Sequence, residues 1–83
     1  MDKVLVEIYA PALDLSFDVF IPLQSPMYEV LDLNKKAVVE MSDKRFIADE
    51  NTAICHREDG TIINVNMSVF ELGIHNGSKL MLI

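Results

Sequence analysis

Cys55 and His56 stand side by side, Glu58 and Asp59 follow within three positions, and a second histidine, His75, lies in the C-terminal part of the chain. A thiol beside an imidazole has the composition of a nucleophile with its base, and with carboxylates added it has the composition of a metal site. The spacing argues against both. Adjacent side chains on a strand point to opposite faces, and His75 falls in a turn at no spacing that zinc ligands use. The acidic pairs Asp49-Glu50 and Glu58-Asp59 lack the alternating ligands of a calcium loop and read as solvated charge. Gly60, Gly73 and Gly77 are isolated at turns, so no loop cradles a phosphate. We therefore expect a binding protein rather than an enzyme, with no catalytic residue, no metal and no cofactor.

Composition narrows the partners. The 83 residues carry 13 acidic and 7 basic side chains, a net charge of −6, and such a field repels a phosphate backbone, which excludes nucleic acid as an expected partner. With 51% hydrophobic residues, positions 1–83 read as a single domain around one core. One cysteine allows no internal disulfide and fits a reducing compartment. No apolar run approaches the roughly 20 residues of a membrane span and the first residues do not resemble a signal peptide, so the expectation is a cytoplasmic protein without direct membrane insertion. The sequons at Asn66 and Asn76 then read as chance.

The elements that position these residues follow from hydrophobic period. Val4, Val6 and Ile8 alternate with Lys3, Leu5, Glu7 and Tyr9, and Leu15, Phe17, Val19 and Ile21 alternate with Ser16, Asp18 and Phe20, which predicts two strands joined as a hairpin. Ser25-Pro26 predicts a helix start, with the serine as cap and the proline at the first helical position. Met27, Val30, Leu31, Asn34, Val38 and Met41 then form a core-facing stripe, and the helix should end between Glu40 and Asp43. Residues 43–51 read as a loop anchored by Phe46 and Ile47. Thr52–Glu58 and Thr61–Val65 flank Asp59-Gly60 and predict a second hairpin. Ser68 caps a short turn through Val69–Leu72, and Ser78–Ile83 reads as the fifth strand, parallel to the first in the sheet centre. Hairpin, helix, hairpin, turn and strand specify an α+β domain with one helix across a five-stranded mixed sheet. Its core should hold Val4, Val6, Phe17, Val30, Leu31, Val38, Ile74, Leu80 and Leu82.

This order of elements, together with Val69, Leu72, Ile74, Asn76-Gly77, Leu80 and Leu82 in the closing segment, resembles the ubiquitin-like β-grasp superfamily over almost the whole chain. Within it the chain is most similar to the small YukD-like (EsaB-like) accessories of bacterial type VII (WXG100) secretion. The resemblance implies a protein partner, with a secretion-system component as the candidate. Conjugated members and sulfur carriers need a flexible Gly-Gly tail, whereas this sequence stops at Leu82-Ile83. If Ile83 is the native terminus, neither conjugation nor sulfur carriage is open to it; a longer native chain would restore both.

Strand parity proposes the binding surface. If Leu80 and Leu82 face the helix, Met81 and Ile83 face outward, and Leu5 does so beside Val4 and Val6. The three should cluster if the first and last strands are neighbours, with Cys55 and Arg57 joining from the third strand. In ubiquitin the equivalent outer face is the principal partner-binding patch, and Met81 and Ile83 fall on its last-strand positions. The alternative is a structural protein that uses the same face to form a homodimer, and a surface around Phe20 and Tyr28 is the reserve site.

Overall fold

The computed structural model describes residues 2–42 and 52–83. Four strands and one helix follow in order: β1 (Lys3–Ala10), β2 (Leu15–Pro22), α1 (Met27–Met41), β3 (Ile54–His56) and β4 (Lys79–Leu82), with a 3-10 turn at Pro11–Leu13 between the first two strands. The sheet order is β2-β1-β4-β3. β1 pairs antiparallel with β2 and parallel with β4, as the sequence predicts, and β3 pairs antiparallel with β4.

Alternation in β1 is carried through to the core. Val4, Val6, Ile8 and Ala10 are buried beneath α1, whose Met27, Val30, Asn34 and Val38 form the inward stripe, and Ile54, Ile63, Val69, Ile74, Leu80 and Leu82 complete the packing. Phe17 and Leu31 pack on that cluster while remaining partly exposed. Met41 departs from the expected stripe: it is 46% exposed in the final turn of α1.

The helix starts differently from the sequence expectation. Pro26 is the N-cap itself and no side chain caps it. The first free N–H groups are instead satisfied by backbone, with Met27 donating to the Met67 carbonyl at 2.9 Å and Tyr28 to that of Val65 at 3.0 Å.

That capping also explains why the sheet has four strands and not five. After the Asp59-Gly60 turn the chain pairs with β3 only at the bridge Cys55–Ile62 and through the Ile63 N–H to Ile54 carbonyl bond of 3.1 Å. Asn64 then accepts the Asn66 N–H on its Oδ1 at 3.0 Å and turns the chain away, carrying Val65 and Met67 to the end of α1. The expected strand Thr61–Val65 is thus a turn-bounded connection whose carbonyls serve the helix. Residues 43–51, read from sequence as an anchored loop, lie outside the described residues.

Ser68 behaves as predicted. Its Oγ accepts the Glu71 N–H at 3.1 Å while Glu71 Oε1 accepts the Ser68 N–H at 3.0 Å, a reciprocal capping box that closes the turn before Ile74. The Asn76-Gly77 turn extends the parallel pairing beyond β4: Asn76 Oδ1 accepts the Leu5 N–H at 2.8 Å and the Gly77 N–H donates to the Leu5 carbonyl at 2.9 Å. Gly77 has φ +90°, a region that side chains disfavour.

Candidate functional site: the outer face of the sheet

Register places every outward side chain. Leu5 opposes Phe20, Glu7 opposes Asp18 and Lys79, Tyr9 opposes Ser16 and Met81, and Cys55 opposes Met81. Directly opposed residues share a face, so Met81 lies outward between Tyr9 and Cys55. Ile83 continues the line, 48% exposed, with reciprocal backbone bonds to Ala53 of 2.9 and 2.7 Å.

The expected cluster of Leu5, Met81 and Ile83 does not form. Met81 is in register with Tyr9, four residues beyond Leu5, which separates the two by about 13 Å along the strands. Between them runs the row Asp18, Glu7, Lys79 and Arg57. Knowing that β1 and β4 are neighbours does not fix their register; the Asn76-Gly77 turn does, by seating itself against Leu5.

Arg57 is exposed and outward, as expected. Its Nη1 is bonded to Glu7 Oε1 in an ion pair, and its guanidinium carbon lies 4.4 Å from the centroid of the Tyr9 ring. Because the Arg57 N–H donates to the Lys79 carbonyl at 3.1 Å, the two cations are neighbours on one side of the sheet, while Asp18 and Glu7 sit together on the other. The outer face is therefore acidic towards β2 and basic towards β3, with Tyr9, Met81 and Ile83 as an apolar strip beside the basic half.

Cys55 corrects the sequence reading. Its side chain is fully buried between Met81 on one side and the Ile62 bridge on the other, and its Sγ donates to the Met81 carbonyl at 3.6 Å. Burial first, and the Asp59 charge second, push the thiol pKa up. It is therefore a packing residue that a partner does not reach. Tyr9 and Glu7 are the residues that sequence reasoning missed, although both share the outward parity of Leu5.

Of the residues that first suggested chemistry, His56, Glu58, Asp59 and His75 line a cavity of about 350 Å³ together with Lys79, and Cys55 does not. Among the described residues no three His, Cys, Asp or Glu side chains converge to hold a metal ion. His75 Nδ1 is 3.1 Å from the Gly73 carbonyl and the His75 backbone N–H donates to Ser78 Oγ at 3.0 Å, which ties the histidine into its own turn. Of the reserve surface, Phe20 is 63% and Tyr28 54% exposed, on β2 and on the first turn of α1 respectively.

No protein-family model matches the chain, and no curated relative matches it. Solved structures do. The chain is similar to the ubiquitin-like domain of EccD5 from Mycobacterium xenopi, with TM-score 0.83 and 21% identity over 100% of this chain and 94% of that one. It is also similar to the ubiquitin-like domain of the Mycobacterium tuberculosis type VII secretion system protein EccD1, with TM-score 0.78 and 20% identity over 100% and 99% of the two chains. A chain of a toluene 4-monooxygenase HD complex superposes with TM-score 0.76 at 15% identity over 98% and 96% of the two chains, so the fold is shared by proteins of unrelated work. No helix among the described residues is long and apolar enough to cross a membrane. Element order, the parallel pairing of first and last strands, the single crossing helix and these superpositions show that the chain has the ubiquitin-like β-grasp fold.

Proposed function

We propose that this domain is a non-conjugated protein-interaction module, an accessory or regulator of a type VII (WXG100) secretion machine, and that it engages a protein partner through Tyr9, Arg57, Met81 and Ile83. The reading is supported by the similarity to two EccD ubiquitin-like domains at near-complete coverage of both chains. The observation that carries the surface is the Arg57 guanidinium held over Tyr9 next to Met81: a preorganised cation, a ring and a thioether in one place supply the residue types that anchor interfaces. In this reading the role is binding, and the one thiol, buried beside Met81, is not offered to a substrate.

The test is genetic and structural together. Deleting the gene in its host should abolish or reduce export of WXG100 proteins, read by immunoblot of the culture supernatant. Wild-type chain should restore export and Met81→Lys chain should not. A photo-crosslinking residue in place of Tyr9 should yield an adduct whose mass spectrum contains a secretion-system component. Export that is unchanged in the deletion strain overturns the secretion reading.

A second reading, a structural protein that homodimerises through this face, has one specific observation in its favour. The Asp18 and Glu7 half is complementary to the Lys79 and Arg57 half, so a twofold axis through the face would pair opposite charges. Sedimentation distinguishes it: a dimer that dissociates on Arg57→Glu substitution supports the homodimer, and a monomer at all concentrations excludes it.

A further inference from the structure

Asn76-Gly77 is the one place in the sequence where asparagine precedes glycine; the other asparagines precede Lys35, Thr52, Val65 and Met67. That dipeptide has a chemistry of its own. The backbone nitrogen after an asparagine can attack the side-chain amide carbon and close a five-membered ring, and any side chain on the following residue hinders the approach. Gly77 presents no such obstacle. Asn76 and Gly77 are both exposed, and a Cβ on Gly77 would meet no atom within 4 Å, so water reaches the turn freely.

The fold acts on this reaction through one residue, because Leu5 holds both reacting groups. Its N–H donates to Asn76 Oδ1 at 2.8 Å, and its carbonyl accepts the Gly77 N–H at 2.9 Å. The two bonds pull in opposite directions. The Leu5 N–H lies where negative charge gathers on Oδ1 during attack, which favours the ring. Attack, however, needs the Gly77 nitrogen to give up its proton, and that proton is directed into the Leu5 carbonyl and away from any base. The second effect decides, since a nitrogen that keeps its proton does not attack however well the oxyanion is received. The turn itself is closed by the Ser78 N–H on the His75 carbonyl and the His75 N–H on Ser78 Oγ, both at 3.0 Å.

We propose that Asn76 is a deamidation site gated by the closure of β1 on β4: held back in the folded chain, reactive once the turn opens, with water as the only co-reactant. Hydroxide takes the Gly77 amide proton, the nitrogen bonds to Asn76 Cγ, and the Cγ–Nδ2 bond breaks as Nδ2 takes a proton from water and leaves as ammonia. No electrons are exchanged. Water then opens the ring at Cγ to give aspartate, or at the backbone carbonyl carbon to give isoaspartate, in which the chain runs through the side chain. The two products differ in what they do to the sheet. Aspartate keeps an oxygen opposite the Leu5 N–H, now as a charge-assisted acceptor, and takes the net charge from −6 to −6 − 1 = −7. Isoaspartate adds a main-chain carbon, which shifts the Gly77 N–H away from Leu5 and the Ser78 carbonyl away from the Glu7 N–H it accepts at 3.0 Å. Only Glu7–Lys79, Ile8–Leu80 and Tyr9–Met81 are then left to pair β1 with β4. Modification therefore marks chains whose closure has opened, and isoaspartate keeps that closure weak. The site is separate from the Tyr9 and Arg57 surface and stands or falls independently of it.

The experiment incubates the whole chain at mildly alkaline pH, folded and in urea, and follows the Asn76 peptide by chromatography and mass spectrometry, which separate aspartate from isoaspartate. In urea, Asn76 should convert ahead of Asn64 and Asn66; in the folded chain it should convert at least about tenfold more slowly than in urea. Ser78→Ala removes the acceptor of the His75 N–H, and should speed the folded reaction at least about threefold while leaving the urea rate within about twofold, which separates the hold of the turn from the reactivity of the dipeptide. Asn76→Asp should keep the native amide spectrum, and the isolated isoaspartate form should melt below it. Equal rates folded and in urea, no conversion in urea, an unchanged folded rate in Ser78→Ala, an unfolded Asn76→Asp, or an isoaspartate form as stable as Asn76→Asp would each overturn the inference.

Discussion

Arg57 reaches across the full width of β4 to set its guanidinium carbon 4.4 Å from the centroid of the Tyr9 ring on β1. Neighbouring strands lie about 4.8 Å apart, so the Arg57 and Tyr9 backbones are roughly 9.6 Å apart across the sheet, and the side chains of Arg57, Tyr9 and Glu7 meet over β4. β3 has three residues, too few to be secured by its ladder alone. The contact ties this short edge strand to the sheet centre and at the same time fixes the most basic point of the outer face.

Arg57→Ala should lower the unfolding free energy by about 1 kcal/mol, because exposed ion pairs contribute about 0–1 and exposed cation–π contacts about 0.5–1 kcal/mol. Arg57→Lys should recover part of this, since lysine keeps the charge and loses the planar stack. Urea unfolding in low and in molar salt measures it: the gap between wild type and Arg57→Ala should narrow in high salt. A loss above about 3 kcal/mol would mean that Arg57 is a packing residue and not a surface one.

Cys55 should be slow to react. The thiolate is the reactive form, and burial beside Met81 both excludes reagent and pushes the thiol pKa up. At pH 8 a disulfide reagent such as dithionitrobenzoate should modify the folded protein far more slowly than the urea-unfolded chain. Equal rates would show that Cys55 is accessible after all and would return it to the outer surface.

Strand parity carried most of what the sequence could say. Alternation in residues 3–9 and 79–82 correctly divided Val4, Val6, Leu80 and Leu82 from Leu5 and Met81, because a side chain's face depends only on position along its own strand. Register depends on how one strand slides past another, and no local pattern records it. For that reason the outward residues were legible and their neighbours were not: Tyr9 and Arg57 meet, whereas Leu5 and Met81 do not. The same distinction accounts for Cys55, whose burial comes from being flanked on both sides, and for Thr61–Val65, whose β-like composition was overridden by the need of α1 for backbone acceptors.

Acid should loosen the Ser68–Glu71 turn. The Glu71 carboxylate accepts the Ser68 backbone N–H, and chiefly for that reason its pKa lies below the ordinary glutamate value. Its contribution to stability is therefore present above the unfolded-state value of about 4.3 and is lost as pH falls through the lower folded-state value. Stability measured by urea titration at pH steps from about 6 to 3 should decline less steeply for Glu71→Gln than for wild type. Parallel curves would show that this carboxylate is not coupled to folding.

Helix position, finally, separates two residues that the sequence put on one stripe. Val38 is completely buried beneath the sheet, whereas Met41, three residues later in the last turn, is 46% exposed. An unpaired carboxylate at Val38 costs several kcal/mol, comparable with the whole stability of so small a domain, so Val38→Asp should abolish the cooperative melt. Met41→Asp should change stability by no more than about 0.5–1 kcal/mol, the range of surface substitutions together with the small penalty of an acid at a helix C-terminus. Circular dichroism melts of the two variants measure both expectations. A folded Val38→Asp, or an unfolded Met41→Asp, would show that α1 is rotated or ends differently from the arrangement that positions Asn34 on its inward stripe and Val65 and Met67 at its N-terminus.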